Sequence, residues 1–227
     1  MPKDRKDRII LLTVYRRSID AFFFFWRKER GLMDISKVAA GILAGGRHTR
    51  MGADKLLLTF EGKTFLERMY EACGIFPERL VSVADKEKYA QFSYDFVEDE
   101  IKGYGPLEGI YQMLVHTKKD YVFVLAADMP RISREFLKAM ADQLQDEDCL
   151  VLSTREGIHP LCAVYARSVL PGLKEMREKD IRRPRLLYDQ YKVRYVSASE
   201  LGYPDTIVQN VNTPEEYERL VAKDETD

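Results

Sequence analysis

Tyr121-Val122-Phe123-Val124-Leu125-Ala126-Ala127, followed by Asp128-Met129-Pro130, is the stretch on which the fold class turns. Seven residues run without a charge and without polar alternation. That is the pattern of a strand buried on both faces, and such strands belong to sheets covered by helices on either side. Pro130 and Ser133 then separate the strand from a helical pattern that begins near Arg134.

Outward from this strand the alternation repeats. Toward the N-terminus lie an apolar run at 38–43, helical spacing at 64–75, short β-prone segments at 80–83 and 96–98, and a helix at 106–116 with Leu107, Ile110 and Leu114 on one side. Toward the C-terminus, 150–152 and 161–165 read as strands, 168–178 as a helix, 192–196 as a strand, and a last helix starts after Thr213–Pro214. This succession predicts an α/β fold: a mostly parallel central sheet with helices on both faces and right-handed crossovers. No repeat or linker divides 35–227, which is read as one domain behind an N-terminal extension, 1–34.

The chain of 227 residues suits one domain plus a tail. With 45% hydrophobic and 32% charged residues and a net charge of −1, it has the composition of a soluble globular protein and no basic surplus that would call for nucleic acid. Cys73, Cys149 and Cys162 form no CxxC pair, which argues against a disulfide framework and a cysteine zinc site and for a cytoplasmic location. In the extension, apolar runs at 9–14 and 21–26 are broken by Arg16 and Arg17; they are too short for a membrane span and lack a signal-peptide pattern. Met33 stands just before the first core strand, so the extension reads as a start-site artefact, the alternative being an aromatic, basic segment that docks on a partner.

In open α/β sheets ligands bind beyond the carboxyl ends of the strands. Two loops there carry chemistry. The first is Leu43-Ala44-Gly45-Gly46-Arg47-His48-Thr49-Arg50-Met51-Gly52-Ala53-Asp54-Lys55. Adjacent glycines let backbone N–H groups approach an anion, and Arg50 and Lys55 add cations able to neutralise a triphosphate as pyrophosphate leaves. A plain turn with solvated cations is the alternative. The loop matches neither the Walker GxxxxGK[ST] pattern nor GxGxxG, which disfavours a P-loop ATPase and a dinucleotide-dependent dehydrogenase. In the second loop, Asp128 follows the most apolar strand directly. A carboxylate there is a candidate ligand for magnesium, which is commonly held by one or two carboxylates and substrate phosphates; a turn-capping Asp is the alternative.

LAGGRHTRMGADK at 43–55, GPLEG at 105–109, ADMP at 127–130, HP at 159–160 and NVNTPEEY at 210–217 fall in the order seen in MobA-type proteins. From about Val38 to Leu220 the chain resembles the molybdenum cofactor guanylyltransferases. The resemblance implies a Rossmann-like sheet of the nucleotide-diphospho-sugar transferase type. The implied activity is transfer of GMP from GTP to the terminal phosphate of molybdopterin, with Mg2+ as cofactor and pyrophosphate as the second product. It places Leu43, Ala44, Gly45 and Gly46 on the nucleotide, Lys55 on its phosphates with Arg50 nearby, Asp99 in the nucleotide site and Asp128 on the metal. Asn210, Asn212 and Arg182 or Arg183 would face the pterin. Molybdenum-insertion proteins or acceptor molybdoenzymes are the implied protein partners. His48 stands where the family usually has a small residue, and Ala84 where some relatives have asparagine. Rival expectations are a CTP-using nucleotidyltransferase acting on molybdopterin or a sugar or polyol phosphate, and a GTP-binding accessory protein without turnover.

Overall fold

The computed structural model describes residues 34–45 and 54–224. The central sheet has seven strands: β1 (Val38–Leu43), β4 (Arg79–Val83), β5 (Asp95–Glu98), β6 (Tyr121–Ala126), β7 (Cys149–Thr154), β8 (Gly157–Ala166) and β9 (Val193–Ser197). Their spatial order is β5-β4-β1-β6-β8-β7-β9. Every neighbouring pair is parallel except the two that involve β8, which runs antiparallel to β6 and β7. A two-stranded ladder, β2 (Thr59–Phe60) with β3 (Lys63–Thr64), stands apart.

Helices cover both faces, as the uninterrupted apolar strands require. α1 (Phe65–Ala72) and α3 (Arg134–Ala141) pack Leu66, Met69, Phe136, Leu137 and Met140 on one side, against Ala40 and Ile42 of β1 and Phe123 and Leu125 of β6. α2 (Pro106–His116) and α4 (Leu170–Glu178) cover the other side, against Ala39, Leu43, Val122 and Val124. Successive strand residues thus feed opposite cores. α5 (Pro214–Asp224) closes the described chain, and its Leu220 joins Val211, Phe60 and Phe65 in a third, smaller cluster.

Local chemistry sets the element ends. Thr64 and Glu67 form a reciprocal capping box at the start of α1, and Ser133 caps α3. The helical spacing at 64–75 ends early as α-helix: after Ala72 the chain tightens into a 3-10 turn, Cys73–Ile75, at Gly74 and ahead of Pro77. β8 is longer than the run 161–165 and takes in His159 and Pro160. Its ladder with β7 jumps from Val151↔Ala163 to Leu152↔His159, so the residues around Pro160, which has no N–H to give a ladder, bulge out. The tight connection from β7 to β8 leaves no room for a crossover helix, which is why β8 is antiparallel.

Candidate active site

A cleft of about 460 Å³ opens at the carboxyl ends of β1, β4, β5 and β6. β1 ends between its two neighbours: Ala44 N donates to Ser82 O at 2.8 Å, and Ala127 N donates to Leu43 O at 3.1 Å. Leu43 and Gly45 line the cleft. A Cβ on Gly45 would lie 3.8 Å from Asp99 Oδ2 and 3.9 Å from Ala84 N, so the backbone turns close against the end of the neighbouring strands. Gly46, His48 and Arg50 lie outside the described residues.

Where the chain resumes, Asp54 caps the short 3-10 turn Lys55–Leu57 through Leu56 N at 3.1 Å and accepts from Tyr89 Oη at 2.7 Å. Lys55 is thereby aimed inward. Its Nζ donates to Asp128 Oδ2 at 2.5 Å and to Asn212 Oδ1 at 3.0 Å. Val211 N donates to Asp128 O at 3.0 Å, and Glu216 accepts from the N–H groups of Asn212 and Thr213. Tyr217 Oη, donating to Thr59 O at 2.7 Å, ties α5 to the small ladder beside Lys55. Three separate sequence stretches therefore meet at one cation–carboxylate–amide cluster.

Asp128 is buried, and among the described residues its Oδ1 has no hydrogen-bond partner. An orphaned carboxylate oxygen beside an open cleft is the chemistry that a divalent cation would satisfy. Among the described residues no group of three or more His, Cys, Asp or Glu side chains could hold a metal alone, so an ion on Asp128 would need substrate oxygens and water to complete its shell.

The other end of the cleft is formed by Asp99, Gly103, Gly105 and Pro106. Asp99 N donates to Val83 O at 3.0 Å, and its Oδ1 accepts from Ser82 Oγ at 3.1 Å. Burial, reinforced by the charges of Glu108 and Glu98 and opposed by the Ser82 hydroxyl, pushes its carboxyl up to about 6. α2 comes close to this end because residue 109 is glycine: a Cβ there would meet Leu43 Cδ2 and stand 2.5 Å from Ser82 Oγ.

Lys55, Asp128, Asn210, Leu43, Gly45 and Asp99 all line the cleft, and Asn212 joins through Lys55. Arg182 does not join the asparagines: it donates to Asp180 Oδ1 at 2.8 Å and Gly103 O at 3.4 Å, and stands 5.1 Å over the Tyr104 ring. Sequence reasoning missed Ser82, Leu161, which the β8 bulge places at the cleft, and Glu108. An acid among Leu107, Ile110 and Leu114 was the available signal for Glu108, whose side chain is fully buried.

The sheet and cleft define an α/β protein with a ligand-sized cleft at its strand ends. Residues 40–194 match the MobA-like NTP transferase domain. Two "probable molybdenum cofactor guanylyltransferases" are similar over nearly their whole length. One, from Clostridium perfringens, is 31% identical, covering 83% of this chain and 98% of that protein; the other, from Aquifex aeolicus, is 32% identical, covering 88% and 96%. The fold is also that of the molybdopterin-guanine dinucleotide biosynthesis protein A of Archaeoglobus fulgidus, with a TM-score of 0.72 at 24% identity, covering 83% of this chain and 100% of that one. The chain belongs to the MobA-like NTP transferase family and is a nucleotidyltransferase. Enzymes of this family generally work with a divalent metal ion.

Proposed function

We infer that this chain transfers GMP from GTP to the terminal phosphate of molybdopterin, releasing pyrophosphate. The observation that carries the reading is the Lys55–Asp128–Asn212 cluster at one end of a cleft whose other end carries Asp99. The relatives named as molybdenum cofactor guanylyltransferases support the choice of substrates.

An oxygen of the acceptor phosphate forms a bond to the α-phosphorus of GTP. The bond from that phosphorus to its bridging oxygen breaks, and pyrophosphate leaves with the electron pair. The acceptor is already ionised at neutral pH, so alignment and charge neutralisation carry the step and no strong base is needed. Lys55 binds the phosphates, and Asn212 keeps its ammonium directed into the cleft. Magnesium, held by Asp128, would supply charge neutralisation at the phosphates. Leu43 and the Gly45 backbone flank the nucleoside, and Asp99 offers its carboxylate to the donor edge of guanine, N1–H and the 2-amino group. Asn210 and Asn212 face the acceptor; Arg182, on the Gly103 rim, stands at the other end of the cleft and takes no part in holding it.

The test is pyrophosphate release by the purified protein with molybdopterin and magnesium, comparing GTP, CTP and ATP and including Asp128→Ala. Release with GTP that the substitution removes is the expected result. A preference for CTP would overturn the assigned product, and tight GTP binding without release would make the chain a binding protein.

A further inference from the structure

Behind the Asp99 end of the cleft lies a buried polar network outside the phosphate chemistry. Glu108, fully buried on α2, accepts from five donors: Glu100 N at 3.2 Å, Ile101 N at 3.3 Å, Gln112 Nε2 at 2.9 Å, and Arg177 through Nε at 2.7 Å and Nη2 at 3.0 Å. Arg177, at the end of α4, also donates to Glu100 Oε2 at 3.0 Å and lies 4.1 Å over the Tyr111 ring. Tyr104 Oη reaches the carbonyls of Met176 and Ile181. The segment 99–105, whose outer face lines the cleft, is therefore clamped from behind by α2 and α4. Gly103 and Gly105, at φ +75° and +102°, let it turn sharply enough to do both.

We propose that the Glu108–Arg177 pair is the positioning element for base selection: it anchors the backbone of Glu100 and Ile101 so that the Asp99 carboxylate meets the base under the balanced charges of the pair. This rests on the guanylyl reading above. A buried, doubly hydrogen-bonded ion pair holds a loop in one geometry, and here the clamp begins at the residue next to Asp99. The pair also reaches Asp99 through space. Around that carboxyl stand Ser82 from β4, Glu98 on its own strand and Glu108 from α2, with Arg177 beyond offsetting the Glu108 charge. An ionised carboxylate presents two acceptors and matches the two donors of guanine. A neutral carboxyl presents one donor and one acceptor and matches the N3 and 4-amino edge of cytosine. What holds Asp99 ionised therefore holds the enzyme to guanine.

The experiment measures Kd for GTP and for CTP on the full chain, from acid to alkaline pH across the value of about 6 to which Asp99 is raised. Wild type should prefer GTP above that pH and lose the preference by about tenfold per unit below it. Glu108→Gln, which keeps shape and an acceptor for the two N–H groups, should move the midpoint down by about one unit. Arg177→Gln, which leaves the Glu108 charge uncompensated, should move it up, by less than Glu108→Gln moves it down. A purely structural role would move both variants the same way, and that result, or no movement in either, overturns the proposal while a wild-type GTP preference leaves the guanylyl reading standing. If Arg177→Gln does not fold, Glu108→Gln decides alone: a lowered midpoint supports the proposal and an unchanged one overturns it. A wild type indifferent between GTP and CTP overturns the guanylyl reading, and this proposal with it.

Discussion

The two ends of the cleft hold their carboxylates in opposite ways. Asp128 is paired with an ammonium on one oxygen and, among the described residues, has no partner on the other. Asp99 has a hydroxyl donor on one oxygen and two further carboxylates in its field, and its affinity for a proton is raised. The first arrangement gathers positive charge where, on the proposed function, a triphosphate would be neutralised. The second keeps an acceptor in partly dry surroundings, where a hydrogen bond discriminates between bases more strongly than it would in water. On the proposed function, the same residue type would serve charge at one end and recognition at the other, its surroundings deciding which.

Asp128→Ala should break the phosphate end most severely. With the metal position gone and Lys55 left without its carboxylate, turnover should fall by about a thousandfold or more, read as pyrophosphate release at saturating GTP. Asp99→Asn should leave more turnover and damage choice instead. Losing one charged acceptor against two guanine donors should cut the GTP-over-CTP ratio in kcat/KM by about ten- to a hundredfold. A loss of rate at both nucleotides with the ratio intact would erase the distinction between the two ends.

Proton linkage sharpens the same contrast. Because the folded carboxyl of Asp99 titrates near 6 rather than at its ordinary 3.8, the native state binds more protons than the unfolded state between those values. Its contribution to stability therefore falls as pH rises through that window and stays lost above it. GTP binding, on the proposed role of Asp99, needs the ionised form and should run the other way, weakening as pH drops through about 6. Melting of Asp99→Asn should lack the pH dependence that wild type owes to this group, and parallel profiles for the two proteins would refute the assignment.

Smaller effects are expected from the scaffold. Gly109→Ala drives a methyl into Ser82 Oγ and Leu43 between the ends, and should lower stability by about 1–3 kcal/mol in denaturant melts while weakening GTP binding. Thr64→Ala removes the capping box of α1, whose hydrogen bonds stay within that turn. It should cost about 1 kcal/mol of stability and leave the GTP-over-CTP ratio unchanged.

Much of this was legible in the chain itself. Uninterrupted apolar runs such as 121–127 announced strands buried on both faces, and helical spacing at 106–116 announced the cover, because burial on two sides admits few polar residues. Asp128 and Lys55 stood out because an acid directly after an apolar strand and a cation in a glycine-rich loop have little structural reason to be there, whereas Asp99 and Asn210 were reached only through the family resemblance. The direction of β8 was not legible, since a strand's hydrophobic pattern is the same read either way. Neither was the role of Arg182, whose place on the Gly103 rim depends on how α4 and the following turn meet the 99–105 segment.

The sequence by itself determined the class of fold, the strand ends where chemistry could sit, and the residue types offered there; these follow from local pattern and from the geometry of parallel sheets. Only the tertiary structure decided which of them meet. Lys55 reaches Asn212 across 157 residues of chain, and Glu108 reaches Arg177 across 69, and no periodicity encodes contacts at such separations. They arise because both cores must close on one sheet, which brings the loops at its carboxyl edge together and leaves Asp128 with a cation and Asp99 with other acids.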